Sequence, residues 1–182
     1  MDDTPDEAAA VVHFWAEAGP ARWFRKDDAF DAQFRERFLA LHERAAAGEL
    51  DHWAAAAEGA LALLILLDQF PRNAFRGSAR MYATDARAQR VARAALARGL
   101  DGQVPLELRN FMYQPLMHAE NAADQELSVG KTAALGGEPH RFALHHRDLI
   151  GRFGRFPHRN ALLGRASTDE ELRFLADGGF LG

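Results

Sequence analysis

Apolar residues recur along most of the chain at the three- and four-residue spacing of one face of an α-helix. The clearest case is Phe30, Phe34, Phe38 and Leu41, a face that Gly48 brings to an end. No segment alternates apolar and polar residues for long enough to predict a strand. The pattern therefore predicts an all-α fold of seven to nine short helices stacked as antiparallel pairs.

Proline, glycine and capping residues predict where the other helices begin and end. Residues 4–7 form a capping box with Pro5 at the first helical position, and residues 167–171 cap a short last helix. The run at 60–67 is apolar on most sides, so its helix should be central and buried. Between the two caps we expect these helical segments: to about Ala18, about Trp53 to Asp68, Asp85 to Gly99, Pro105 to a bend or end at Pro115, Asn121 to Leu135, and Pro139 to about Arg152.

Length and charge indicate an ordinary globular protein. The 182 residues are the size of one domain and no low-complexity linker divides them, so we predict a single helical domain over residues 1–182. The net charge of −4 argues against nucleic-acid binding, which needs a basic surface. The acidic first residues are unlike a secretory signal, and the run at 60–67 is far short of the ~20 residues that span a bilayer. We therefore expect a cytoplasmic protein without nucleic-acid or membrane partners.

The chain offers few of the residues that common catalytic motifs need. It has no cysteine, and motifs for a serine nucleophile, a phosphate loop or a dinucleotide are absent, so we expect no cofactor. The basic residues are 20 Arg and 2 Lys. Arginine favours bidentate contacts with carboxylate or phosphate, although genomic base bias is the simpler explanation for an overall excess. Bias does not explain six arginines between Arg141 and Arg165 against one acid, Asp148.

One phrase, an aromatic residue and proline followed by arginine and asparagine, occurs twice. Residues 67–73 read Leu-Asp-Gln-Phe-Pro-Arg-Asn, and residues 152–160 read Arg-Phe-Gly-Arg-Phe-Pro-His-Arg-Asn. Proline breaks a helix and disfavours helical geometry in the residue before it, so we expect each phrase just past a helix end. Arginine and asparagine placed there either bind an anion or brace the turn, and both interpretations stay open.

Acidic residues at two places call for cationic partners. Asp68 closes the apolar run, and a carboxylate at the end of a buried helix is either half of an ion pair with arginine or a base that orients a ligand. Glu120 and Asp124 stand four residues apart, where like charges repel, in a stretch that also carries His118 and Gln125. That stretch is an arginine-paired face, a ligand-binding wall or a metal site. Its spacing matches no common metal motif, so we predict no metal.

His146 falls on the apolar face of its predicted helix, together with Phe142, Leu149 and Ile150. A histidine in this position is either a core residue with satisfied hydrogen bonds or a general base whose pKa is tuned by burial. Both interpretations stay open.

Our leading hypothesis is a polar, arginine-lined cavity for a small anionic molecule, a carboxylate or a phosphate. Its enzymatic form is acid/base hydrolysis or a lyase step, in which a histidine moves the proton and a carboxylate holds the imidazole. The candidate catalytic residues are Asp68, His118, Glu120, Asp124 and His146, and the candidate ligand-binding residues are Arg72, Asn73, Gln125, Arg155, His158, Arg159 and Asn160. The alternatives are a non-enzymatic helical module that binds a protein or peptide, or polar residues that only hold the helices together.

Several short stretches, spread over nearly the whole chain, together form a recognisable pattern: Phe14-Trp15, Trp23-Phe24, Phe30-Asp31, residues 67–73, His118-Ala119-Glu120, Asp124-Gln125, His146-Arg147-Asp148, residues 152–160, Gly164-Arg165, Ser167-Thr168 and Glu170-Glu171-Leu172. In these stretches the chain resembles the bacterial proteins catalogued as domain of unknown function 924. The resemblance implies a helical fold similar to tetratricopeptide-repeat superhelices, and it implies no established reaction.

Overall fold

The computed structural model describes residues 5–180, which are helical nearly throughout and contain no strand. A π-helical segment, Ile65–Gln69, joins α4 to α5 without a break, so the ten α-helical segments of the described residues make nine separate helices. The all-α prediction is confirmed, whereas the likeness to a tetratricopeptide-repeat superhelix stays a prediction. The segments are α1 (Asp6–Ala18), α2 (Pro20–Trp23), α3 (Asp28–Ala47), α4 (Ala57–Leu64), α5 (Phe70–Ala74), α6 (Asp85–Ala97), α7 (Gln114–Met117), α8 (Ala122–Ala133), α9 (Gly137–Phe153) and α10 (Asp169–Ala176).

Side-chain caps and glycines end the helices where the sequence indicated. Gly48 adopts a left-handed conformation just past α3, with φ of 90°, which glycine tolerates without strain. Thr168 and Glu171 form the predicted capping box of α10. The capping box predicted at residues 4–7 begins outside the described residues.

The helix through the first Phe-Pro phrase does not end there, so that prediction is wrong. The chain widens into the π-helical segment, in which the N–H of Phe70 donates to the carbonyl of Ile65, and continues as α5 through Pro71. Proline lacks an N–H, which leaves carbonyl groups of the preceding turn without helical partners. His42 Nδ1 binds the Leu66 carbonyl at 2.9 Å, and the Thr84 hydroxyl donates to the Leu67 carbonyl at 2.6 Å. These two side chains let the helix tolerate proline.

At Pro105 and Pro115 the structure differs from the prediction, whereas at the second Phe-Pro phrase it agrees. Pro115 lies in the first turn of α7 instead of bending or ending a helix that starts at Pro105. The residues after Pro105 form a turn and then the 3-10 segment Arg109–Met112. At the second phrase the prediction is confirmed, because α9 ends at Phe153 and Gly154 is left-handed, after which Pro157–Arg159 forms a 3-10 turn.

The core consists of one large apolar cluster and one small one. In the large cluster α4 and the π-helical segment are buried on all sides, as predicted, against an aromatic group from α1, α3 and the 3-10 segment at 109–112. Representative members of that group are Phe14, Trp15, Phe34 and Phe111. The small cluster joins α9 to α10 and contains Leu149, Ile150 and Phe156, with Phe153, Phe174 and Phe180 packed against it.

Candidate functional site

A cavity of about 600 Å³ opens where α5, α7 and α9 approach one another, a volume typical of small-molecule sites. Its wall carries residues that belong to both apolar clusters, such as Trp23 and Phe180. Six of the twelve predicted site residues line it: Arg72, Asn73, His118, His146, His158 and Arg159.

Asp68 lies directly behind His118 on this wall. The carboxylate is 1% exposed, and its Oδ1 is 2.8 Å from His118 Nδ1 while Gln69 donates to Oδ2 at 2.7 Å. Burial raises the pKa of Asp68, but the charge of Arg72, the interaction with His118 and the hydrogen bond from Gln69 outweigh burial and lower this pKa to about 2. Since Asp68 is ionised, His118 Nδ1 carries the proton and donates it. Nε2 is then the unprotonated nitrogen of a side chain that lines the cavity.

Two arginines share one carboxylate, that of Asp85. Arg72 makes two parallel hydrogen bonds to Asp85, of 2.9 and 3.0 Å, and contacts Asp68 at 3.1 Å. Arg159 reaches Asp85 through a single nitrogen at 3.2 Å. Tyr82 stacks its ring against both guanidinium groups, with Cζ of Arg159 4.7 Å from the ring centroid. We call Asp68, Arg72, Asp85, His118 and Arg159 the cavity network.

Arg159 has fewer partners than a buried guanidinium needs. Its residue is 6% exposed, its Nε has no hydrogen-bond partner, and the contact with Asp85 is the one hydrogen bond of its side chain among the described residues. Burial and the nearby charge of Arg72 both lower the pKa of Arg159. A guanidinium carries five N–H donors, so the wall of the cavity holds donors that no protein group accepts.

Three histidines of the cavity wall are neutral near pH 7. Burial lowers the pKa of His146 to about 3, with help from His118, and burial together with Arg159 lowers the pKa of His158 to about 4. Burial and Arg72 likewise lower the pKa of His118, although Asp68 opposes them. His146 Nδ1 donates to the Phe142 carbonyl at 2.8 Å, and His158 Nδ1 is buried without a partner.

Side chains that sequence reasoning passed over complete the polar wall. Gln69 donates to the side-chain carbonyl of Gln114, and the Asn110 side-chain oxygen is buried without a partner. Asp85 was interpreted only as the start of α6, because an acidic residue in the first turn of a helix has a local explanation. Asn73, a predicted residue, is tied to Asp31 at 2.6 Å.

Three of the remaining predicted residues belong to a second set of contacts that joins α10 to the rest of the chain. Arg155 makes two parallel hydrogen bonds to Glu171, of 2.7 and 2.8 Å, and Asn160 donates to the same carboxylate at 3.2 Å. Glu120 accepts two hydrogen bonds from Arg165 and one from the Phe156 N–H. We call Glu120, Arg155, Asn160, Arg165 and Glu171 the α10 network. None of its members lines the cavity.

Asp124 and Gln125 brace the start of α8. Asp124 is paired with Arg93 at 2.6 Å and with the capping residue Asn121. Gln125 is fully buried and donates to the carbonyls of Met117 and Ala119. Both side chains lie apart from the cavity wall.

Within residues 5–180, no three His, Cys, Asp or Glu side chains are arranged to hold a metal ion. In the same part of the chain, no helix is long and apolar enough to cross a membrane.

Comparison with known proteins gives this architecture a family. The model of the family described as "Bacterial protein of unknown function (DUF924)" matches residues 11–179. The chain belongs to this family. It is similar to a solved structure, that of the protein of unknown function ATU0120 from Agrobacterium tumefaciens, with 50% sequence identity and a TM-score of 0.94. The match covers 97% of this chain and 100% of the Agrobacterium chain. The comparison with curated proteins found no match.

Proposed function

We propose that the cavity binds a small organic anion and that His118 acts on the bound molecule as a general base. The observation that carries the proposal is Arg159, a buried guanidinium on the cavity wall with one hydrogen bond of 3.2 Å and an unpartnered Nε. Nε is itself buried, but Nη2 also donates to no group of the described residues and is not among the buried unpartnered atoms, so a carboxylate or phosphate in the cavity would accept from Nη2. His158 lines the same wall, with its own Nδ1 buried and without a partner.

The pair of Asp68 and His118 has the geometry of an oriented base. The carboxylate holds Nδ1–H and so fixes both the ring orientation and the tautomer, which leaves the Nε2 lone pair for a proton. His146 is a weaker candidate, because its Nδ1 faces a neutral carbonyl and its pKa is about 3. In this proposal His118 removes the proton, and His146 accepts a hydrogen bond.

The composition of the wall narrows the reaction type. Its described residues include no serine, threonine, cysteine or lysine, the usual covalent nucleophiles of acyl transfer and imine chemistry. A base acting without such a nucleophile takes its proton from water or from a carbon next to an electron-withdrawing group. Hydrolysis by activated water and a lyase step are therefore the reactions we propose.

The alternative function, binding of a protein or peptide, requires a different kind of surface. It needs a contiguous exposed apolar groove of several hundred Å². Among the described residues the exposed large hydrophobic side chains that line the cavity are Phe24 and Phe142, whereas Leu106, Leu127, Leu163 and Leu172 lie outside its wall. The small-molecule proposal therefore has the stronger support.

Thermal denaturation with a panel of small carboxylates and phosphates tests the proposal. We expect at least one compound to raise the melting temperature of the native protein, and Arg159→Gln to abolish that shift. Arg155→Gln is the matched control, because Arg155 belongs to the same phrase but binds Glu171 away from the cavity. A shift that survives in Arg159→Gln, or no shift with any compound, would contradict the proposal.

His118→Gln separates binding from chemistry. With a bound compound in hand, we expect this variant to keep the thermal shift and to lose turnover of that compound, because glutamine donates a hydrogen bond but is no base. Turnover that is equal in the variant and the native protein would show that His118 is not the base.

A further inference from the structure

We propose that the ligand is an amphipathic monocarboxylate, whose carboxylate lies at Arg159 and whose apolar body lies among the aromatic side chains at the mouth of the cavity. This inference rests on the proposed function and names the class of anion that the cavity would take.

The charges of the wall favour a single negative charge over two. The positive charges of Arg72 and Arg159 are balanced by Asp68 and Asp85, and the three histidines are neutral near pH 7. Two further charged residues of the wall are also paired, Arg76 with Asp31 and Glu138 with Arg141. A phosphate dianion would bring two charges into a wall whose net charge from these groups is zero, and uncompensated charge in a buried site is costly. A monocarboxylate adds one charge beside the least satisfied guanidinium.

The donors that remain free suit a carboxylate. Arg159 presents unused N–H groups at Nη2, since Nη1 is bonded to Asp85, Nε is buried, and Nη2 donates to no group of the described residues. The planar fork of a guanidinium matches the two oxygens of a carboxylate. Tyr82 stands against the same guanidinium, and burial raises the pKa of its hydroxyl, so this group stays protonated near pH 7.

The apolar half of the cavity lies nearer to solvent than its cationic part. Phe24 is 67% exposed and Phe142 is 43% exposed, whereas Arg159 is 6% exposed, and all three line the same cavity. Trp23, Met117 and Phe180 add apolar surface to the wall. A molecule with its charge inward and a hydrocarbon or aryl group outward would cover two phenylalanine rings that otherwise face water. A small, fully polar anion would leave these rings exposed.

Isothermal titration calorimetry with matched probes tests this ligand class. The probes are 4-phenylbutyrate, acetate, 4-phenylbutanol and phenylpropyl phosphate, which vary the apolar body and the head group separately. We expect 4-phenylbutyrate to bind at least tenfold more tightly than each of the other three. The Phe24→Ala/Phe142→Ala double variant should weaken 4-phenylbutyrate about tenfold, while Leu106→Ala, an exposed apolar side chain off the cavity, should leave its affinity unchanged.

Each of the following titration results would contradict one part of the proposed ligand class. Acetate binding as tightly as 4-phenylbutyrate would refute the apolar body, and phenylpropyl phosphate binding more tightly would refute the monocarboxylate. Equal binding of 4-phenylbutanol would refute an anion altogether and with it the proposed function. Binding of none of the four probes would overturn this inference alone if the carboxylate and phosphate panel still gives a shift that depends on Arg159.

Discussion

Arg155 and Arg159 lie four residues apart in the second Phe-Pro phrase, but their side chains donate different numbers of hydrogen bonds. In the α10 network, Arg155 donates twice to Glu171 and once to the Ala166 carbonyl. In the cavity network, Arg159 is more deeply buried and donates once, to a carboxylate that Arg72 already holds with two bonds. Arginine therefore stabilises the fold at position 155 and has hydrogen-bond donors without a protein partner at position 159. Hydrogen-bond satisfaction, rather than the local motif, separates structural from candidate functional arginines.

The largest effect is expected from removing the carboxylate at the centre of the α10 network. Glu171→Ala leaves Arg155, Asn160 and the Thr168 N–H without their acceptor. The carboxylate is buried but the arginine is partly exposed, so the expected loss is about 3 kcal/mol, the lower end of the range for a broken buried pair. Chemical denaturation measures the loss. Glu170→Ala is the control, because its ion pair with Arg152 is exposed and should contribute at most about 1 kcal/mol. Similar losses in both variants would refute the structural role of the α10 network.

Near the cavity, we expect the free energy of unfolding to be sensitive to substitutions around Pro71. Thr84→Val removes the hydroxyl that donates to the Leu67 carbonyl and should destabilise the protein by about 1–3 kcal/mol. Thr84→Ser keeps the hydroxyl and should lose clearly less. Denaturant unfolding of both variants gives the comparison, and equal losses would show that the Leu67 carbonyl does not depend on this donor.

The cavity wall, through His146, and the α10 network, through Glu171, should lose stability in different pH ranges. The folded-state pKa of His146 is about 3, below its ordinary value of 6.5, so the unfolded chain binds a proton that the folded protein refuses. The contribution of His146 to the free energy of unfolding is therefore fully present above pH 6.5. This contribution falls by up to ~1.4 kcal/mol per pH unit as the pH drops towards 3. Unfolding free energies measured between pH 7 and 5 should fall less steeply in His146→Gln than in the native protein.

Glu171 provides the contrast on the other side. Its hydrogen bonds with Arg155, aided by the Thr168 N–H and Asn160, lower its pKa to about 2 from an ordinary 4.5. The stabilisation from this carboxylate is present above pH 4.5 and is lost as the pH falls through about 2. Glu171→Gln should therefore leave the slope between pH 7 and 5 unchanged. A changed slope in that range would contradict the assignment of the two pH ranges to His146 and Glu171.

The smallest change in stability is expected at Arg159. Arg159→Met keeps the long side chain against Tyr82 and Phe156, removes a poorly satisfied buried charge, and leaves Asp85 with its two bonds from Arg72. We expect the free energy of unfolding to change by less than about 1 kcal/mol in either direction, because such replacements are often neutral. Arg155→Met, measured in the same way, should be clearly destabilising. Equal losses at both arginines would remove the distinction on which the proposed site rests.

Local sequence signals predicted many helix boundaries because the residues at those boundaries act on near neighbours in the chain. Gly48 ends α3, and the capping pair of Thr168 and Glu171 begins α10, through contacts within a few residues of each boundary. Pro71 defeated the same reasoning, because the donors that satisfy the freed carbonyls come from residues 42 and 84, distant in sequence. Nothing in the residues around Pro71 signals that these donors exist.

Six of the twelve predicted site residues line the cavity, and the division of the predicted residues into two networks was not predictable from the sequence. The two phrases drew attention to Arg72, Arg155 and Arg159, which carry both networks. Which carboxylate each arginine meets depends on how helices pack, and spacing along the chain holds no record of that. Asp85 was missed for this reason, because an acid in the first turn of a helix has a sufficient local explanation.

The π-helical turn at Ile65–Gln69 separates the orientation of α4 from the number of residues in this stretch of chain. A π-helical turn holds one residue more than an α-helical turn, so it absorbs the extra residue while α4 and α5 keep their relative orientation. Deleting one residue within 65–67 would restore an ordinary α-helical turn and leave the apolar faces of α4 and the side chain of Arg72 close to their present orientations, whereas a deletion inside α4 would rotate the residues before it by about 100°. In alignments of related sequences, a one-residue gap at 65–67 is therefore compatible with the same cavity where the site residues are retained.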